Sequence, residues 1–278
     1  MHHSFGRRLA MITFIAGALQ LFATAYGAQA ATAAPEPARQ TAKLQPSSTG
    51  YDISYPQCSA AFPKSPAFGI IGVNGGLAYA TNPCLASEYA WAQTSTSAGQ
   101  PHVSFYLNTG NPGPVASTHW PPPGTTTPQA CDGSWSQACA YDYGWSAAQD
   151  SFNKAAAASG SSAARTAPWW LDVETANSWS NTDLATNRSD LQGAVAGLRA
   201  VGVTTIGVYS TSSMWSQITG ASSPSSTLND PFRTLANWVP GARSFKEAPS
   251  YCTRTFTGGP VKYAQYPSNG FDADYVCL

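Results

Sequence analysis

Apolar and polar positions after residue 50 fall into short strand-like runs parted by turn residues, with longer stretches of helical character between them. Residues 51–55 (YDISY) alternate and predict a first strand with Asp52 near its end. Residues 68–73 (FGIIGV) form a continuous apolar run, as in a strand buried on both faces, and Asn74-Gly75-Gly76 then turns the chain. Residues 85–98 have helical composition, with Leu85, Tyr89 and Ala92 on one stripe. A third strand over 102–107 ends at the turn cluster 108–113 (NTGNPG). Residues 114–141 read as a long loop, which in a compact domain is functional or an insertion. Its Trp120 and Trp135 suit either stacking on sugar rings or local packing. An Ala-rich helix over 144–158 turns Trp145, Ala148 and Phe152 to the core, and a fourth strand follows Pro168.

The clearest helix spans 183–200, where Leu184, Leu191, Val195 and Leu198 form the stripe and Gly202 stops it. Residues 205–210 (TIGVYS) predict a fifth strand. The rhythm then changes: strand-like runs at 234–239, 261–266 and 271–277 lie close together, with no clear helix between the last two. Five strand–helix units followed by three strands predict a parallel sheet with right-handed crossovers, and eight strands suffice to close it.

Length alone allows one large domain or two modest ones. The 278 residues are 43% hydrophobic and 12% aromatic, which supports a sizeable core. Only 10% are charged, with Lys plus Arg and Asp plus Glu balanced at 14 each. Such a chain shows no electrostatic footprint for nucleic acid and no polybasic segment for an anionic membrane. It suits a secreted protein that handles an uncharged polymer.

The amino terminus reads as a targeting segment. Arg7-Arg8 precede an apolar run from Leu9 to about Tyr26, and Ala28-Gln29-Ala30 offers a small-x-small cleavage site. We therefore expect a signal peptide over 1–30, with Sec or twin-arginine export open, and an Ala/Pro-rich disordered linker over 31–48. The folded domain is expected over 49–278, a monomer located outside the cell or on its wall, with no membrane contact once the signal is removed.

Six cysteines, all beyond the export segment, imply three disulfides in an oxidising compartment. Fifteen pairings are open to six cysteines. Nearness in the chain favours Cys131–Cys139, and suggests Cys58–Cys84 and Cys252–Cys277 for the others. No CxxC or HxxxH spacing appears, so no metal is expected. No cofactor is expected either. A glycine-rich phosphate loop and a G-x-S-x-G elbow are both lacking, and His102 and His119 are the only histidines after the export segment.

The chemistry points to Leu171-Asp172-Val173-Glu174. Alternate residues of a strand share a face, so the two carboxyls stand side by side with Cα atoms roughly 6.5–7 Å apart. Like charges that close, beside apolar walls, raise the pKa of one member and leave an acid beside a carboxylate at neutral pH. Acid-catalysed glycoside cleavage needs such a pair. A solvated acidic strand end, with Asp172 capping a turn, is the alternative for an isolated D-x-E.

The order of motifs resembles glycoside hydrolase family 25, the lysozymes that cut peptidoglycan between N-acetylmuramic acid and N-acetylglucosamine. It is most similar to a secreted actinobacterial glycoside-hydrolase-like branch of unknown function. Gly50-Tyr51-Asp52-Ile53-Ser54 matches the family's opening strand, Leu171-Asp172-Val173-Glu174 its fourth, and Ile206-Gly207-Val208-Tyr209 its fifth. Ala236-Asn237-Trp238-Val239 resembles the tryptophan-bearing sixth strand. Ala264-Gln265-Tyr266 resembles W-Q-Y with alanine for tryptophan, and residues 270–275 resemble the closing strand, with Asp272 or Asp274 as its aspartate.

The resemblance implies an irregular, TIM-like (β/α)-barrel of five β/α units and three strands. It also implies that Asp52, Asp172, Glu174 and Asp274 converge at the C-terminal rim, where barrels carry their catalytic groups. Glu174 would be the general acid. Asp172 would stabilise the oxocarbenium-like transition state or orient the substrate's N-acetyl group. Asp52 and Asp274, or Asp272, would tune these groups and hold sugar hydroxyls, while Gln265, Tyr209 and Trp238 line the pocket or serve as barrel packing. Two functions compete: a muramidase-like glycosidase acting on cell-wall polysaccharide, and a cell-wall glycan-binding barrel with little or no turnover.

Overall fold

The computed structural model describes residues 49–224 and 230–277. The expected signal peptide and linker lie outside the described residues. Eight strands close into a barrel in sequence order: β1 (Gly50–Ile53), β2 (Gly69–Gly72), β3 (Val103–Asn108), β4 (Trp169–Asp172), β5 (Ile206–Tyr209), β6 (Ala236–Val239), β7 (Val261–Ser268) and β8 (Phe271–Val276). Between them lie α1 (Leu85–Ala92), α2 (Gly113–Ala116), α3 (Gln137–Ser159), α4 (Ser161–Thr166), α5 (Leu184–Ala200) and α6 (Ser212–Thr219). The connection from β1 to β2 carries only a 3-10 turn over Tyr55–Gln57, in a proline-containing segment that cannot sustain a helix.

Neighbours are parallel from β1 through β7, whereas β8 runs antiparallel to both β7 and β1. The sheet is therefore mixed where an all-parallel one was expected. The cause is local. Ser268 pairs with Phe271 across Asn269-Gly270, whose φ values of 54° and 81° are those of a primed two-residue hairpin turn. A link this short cannot make the crossover that a parallel neighbour needs.

Alternation along the strands sorts the core into two shells. One set, including Ile53, Ile71, Phe105, Leu107, Trp169, Leu171 and Val208, packs outward beneath the helices with Phe152, Leu191, Leu198 and Trp215. The other set, Phe68, Ile70, Trp170, Trp238 and Tyr263, fills the barrel interior. Glycine makes the room for these rings: a Cβ on Gly207 would stand 2.3 Å from the Trp170 ring, and one on Gly50 would stand 2.1 Å from Phe68.

Two helix boundaries differ from expectation. α1 stops at Ala92 because Thr94 and Ser95 turn their hydroxyls onto the carbonyls of Trp91 and Ala92, diverting the chain. α3 begins at Gln137 and not at 144, because the Ser136 side chain accepts from the Cys139 amide and caps it. The expected long loop is shortened accordingly and broken by α2. Trp120 is buried against Trp135 and Tyr143, so that ring packs locally. Trp145 is only half-buried.

Disulfides join Cys58 to Cys84, Cys131 to Cys139 and Cys252 to Cys277. They tie the chain after β1 to the start of α1, clip the preceding loop onto α3, and hold the end of β8. Among the described residues, no helix is long and apolar enough to cross a membrane.

Candidate active site

A pocket of about 150 Å³ is lined by Asp52 of β1, Tyr106 of β3, Asp172 of β4, Glu174 just beyond it, Tyr209, Trp238, Gln265 and Asp272. These residues come from seven different strands or strand ends. They meet because the inward-facing position at the C-terminal end of each parallel strand points to a common axis. The antiparallel β8 contributes from its beginning: Asp272 lies level with Asp52, whereas Asp274 pairs with Gly50, one layer deeper.

Asp172 is 5% exposed. Asn108 donates its amide N–H to Oδ2, and Oδ1 accepts no hydrogen bond among the described residues. Burial first, then the neighbouring Glu174, pushes the Asp172 carboxyl well above the usual carboxylate range. Glu174 is half-buried and nearer the opening. Its position is set by the backbone: Trp179 donates its indole N–H to the Glu174 carbonyl (2.7 Å), and Thr109 and Asn177 donate to the Asp172 carbonyl (2.6 and 3.2 Å).

On the opposite wall, the Tyr209 hydroxyl donates to Gln265 Oε1 and Gln265 Nε2 donates to Asp52 Oδ2, each at 2.9 Å. This relay fixes which way the Gln265 amide faces. Burial, reinforced by Asp272, raises the Asp52 pKa to about 7. Burial, then the Glu174 charge, also raises Tyr209, which keeps its phenolic proton. Beneath them, Trp238 donates its indole N–H to Asp274 Oδ1 (2.7 Å). Asp274 is fully buried, its carboxyl is pushed well above the usual range by burial and then by Asp52, and it does not line the pocket.

Of the residues singled out in the sequence, Asp52, Asp172, Glu174, Tyr209, Trp238, Gln265 and Asp272 share the pocket, while Asp274 is its buried support. The expectation that Asp274 reaches the rim is corrected by strand direction: two residues further along an antiparallel strand lead down into the barrel. Sequence reasoning missed Tyr106 and Asn108. Both lie on the inward face of β3, two residues apart, and that alternation was the available signal. It also missed Asn74, fully buried, whose side-chain oxygen accepts from the Asn108 backbone N–H (2.9 Å) and whose position in an N-G-G run reads only as a turn.

No metal-binding group arises from these carboxyls. Among the described residues the one cluster of metal-ligand type is Cys58, Cys84 and Glu88, and both its sulfurs are committed to a disulfide.

A family model described as Lysozyme-like protein 1 matches residues 141–230, which include Asp172 and Glu174. No curated protein matches the chain by sequence. Solved structures match over 82% of the chain. The muramidase of Acremonium alcalophilum is 14% identical, with 93% of its own chain covered and a TM-score of 0.52. The Streptomyces coelicolor lysozyme is 15% identical, with 91% covered and a TM-score of 0.50. A family GH25 lysozyme of Aspergillus fumigatus is 16% identical, with 93% covered and a TM-score of 0.50. The chain has the barrel fold of these enzymes.

Proposed function

With that barrel as premise, we propose that the protein is a secreted glycoside hydrolase of muramidase type, acting on peptidoglycan or a related N-acetylated glycan. The observation that carries the reading is the pairing of Asp172 and Glu174 at the end of one strand, inside a pocket that also holds Asp52 and Asp272. Burial of Asp172 lets the pair keep a proton under conditions where free carboxyls have lost theirs. Glu174, nearer the opening, hands that proton to the leaving glycosidic oxygen. The transfer leaves two carboxylates facing the developing positive charge at the anomeric carbon, where attraction is strongest in a pocket short of water. Asp172, held by Asn108, lies where it stabilises that charge or orients the N-acetyl group. Asp52 and Gln265 offer hydrogen bonds to sugar hydroxyls.

The competing reading is a glycan-binding barrel without turnover, and the alanine before Gln265 spoke for it. Ala264, however, packs in the outer shell beneath the helices and not in the pocket, so its identity leaves the acidic wall untouched. The export signal expected from the sequence, together with the three disulfides, supports a location outside the cell.

The test is release of new reducing ends from cell walls and from soluble chitooligosaccharides. Wild type is expected to release them, and Glu174→Gln to do so about 10²–10⁴-fold more slowly. Wild-type protein that binds these glycans and frees no ends would establish the binding reading instead.

A further inference from the structure

A second pocket, of about 250 Å³, opens beside the acidic one. Its base is formed by Thr109, Gly110, Asn177 and Ser178, from the loops that leave β3 and β4. Thr109 and Asn177 are the residues that donate to the Asp172 carbonyl, so one strand end separates the two pockets. No Asp, Glu, Lys or Arg lines this second pocket. Hydroxyls, amides and short apolar side chains do, which suits a neutral ligand with one polar edge and one apolar face.

His119 supplies a flat wall. Its imidazole lies on the Tyr79 ring at 4.0 Å with the planes 4° apart, and the residue is otherwise exposed. One ring face is thus covered and the other is free. Tyr79 is held firmly behind it: its hydroxyl donates to the Tyr143 carbonyl (3.3 Å), and Lys154 donates to its own carbonyl (2.6 Å). Tyr79 also adopts a φ of 65°, unusual for a ring-bearing residue. Contacts on both sides of the residue maintain that conformation, and it brings the ring under His119.

We propose that this pocket is a second sugar subsite, which takes one neutral N-acetylated pyranose ring of the glycan with its apolar face against His119. The proposal rests on the glycosidase reading and adds to it how the strand is held next to the bond that is cut. The volume, below the roughly 300–1,000 Å³ of sites for drug-sized ligands, matches one ring and not a chain of them.

The experiment measures binding of N-acetylglucosamine oligomers of two to six units by calorimetry, in a Glu174→Gln background so that the oligomers stay whole. Affinity is expected to step up once an oligomer is long enough to occupy both pockets. Adding His119→Ala removes that step, about five- to ten-fold on the hexamer with a much smaller loss on the dimer, and His119→Phe restores most of it. Equal affinities for long and short oligomers with and without the imidazole overturn the subsite. Failure of the parent reading looks different: the step and its dependence on residue 119 persist, but wild type frees no reducing ends from any substrate. Absence of binding at every length overturns both.

Discussion

Asp172 and Asp52 show how burial, more than any single contact, sets the chemistry of this pocket. Neither carboxyl meets a basic side chain within the pocket, so desolvation dominates and both rise. Because burial raises Asp172, the proton that the Asp172/Glu174 pair needs is held to higher pH than on a free carboxyl and leaves as pH rises further, which gives activity an alkaline limb. Ionised Asp52 raises the Asp172 pKa further. Asp52→Asn removes that neighbouring anion, makes the pair easier to ionise, and should shift the alkaline limb of the kcat profile to lower pH. Asn108→Ala removes the donor to Asp172 and should lower kcat about ten-fold or more with little change in melting temperature, because the side chain is only half-buried and reaches a pocket carboxyl instead of the apolar core.

A buried carboxyl outside the site shows the same physics as stability. Glu88 of α1 is fully buried; Asn82 donates to Oε2 (2.6 Å), and Oε1 lies 3.0 Å from the Cys84 sulfur of a disulfide that has no proton to give. Burial raises its pKa to about 7. The folded state thus holds a proton that the unfolded chain loses from about pH 4.5 upward. Stability from this group is highest below that pH, falls as pH rises, and is fully lost above about 7. Glu88→Gln keeps the polar contacts without the charge. It should raise stability at pH 8 by about 2–3 kcal/mol and do little at pH 4, as read from urea midpoints at the two pH values.

At the scale of elements, α3 and α5 come into backbone contact through glycines. A Cβ on Gly193 would stand 1.9 Å from the Tyr141 carbonyl oxygen, and one on Gly197 2.4 Å from that of Trp145. Gly193→Val should cost about 3 kcal/mol or more, seen as a lowered urea midpoint, because neither helix backbone can yield to the new methyl groups. α5 was legible in the sequence because Leu191, Val195 and Leu198 repeat on one stripe, with Asp183 capping the start by accepting from Ala185 and Thr186. The start of α3 was not: Gln137 to Tyr143 carry no stripe of their own, and the first turn is defined by the Ser136 cap and the Cys131–Cys139 link. The β7–β8 hairpin was missed: the preceding strand–helix rhythm led to a parallel expectation, although Asn269-Gly270 makes a two-residue turn. Turn chemistry overrides rhythm when the linking residues are only two.

For the whole molecule, barrel closure depends on β8, which bridges β7 and β1. Its end is tied by Cys252–Cys277, with a sequence separation of 25 residues. Replacing both cysteines by serine should lower stability by about 3 kcal/mol, measured against the intact protein under non-reducing conditions, with the same value reached by reduction if no other bridge opens. The sequence by itself determined the strand count, the D-x-E strand, the acidic residue of the first strand and the even set of cysteines, because period-two alternation, turn residues and spacing are local properties. Tertiary structure alone decided that Asp272 faces the pocket while Asp274 lies beneath it. It alone placed Asn108 on Asp172 and His119 over Tyr79, and turned Ala264 away from the site. Each of these depends on strand direction and on which distant segments become neighbours, and that information is created only when the barrel closes.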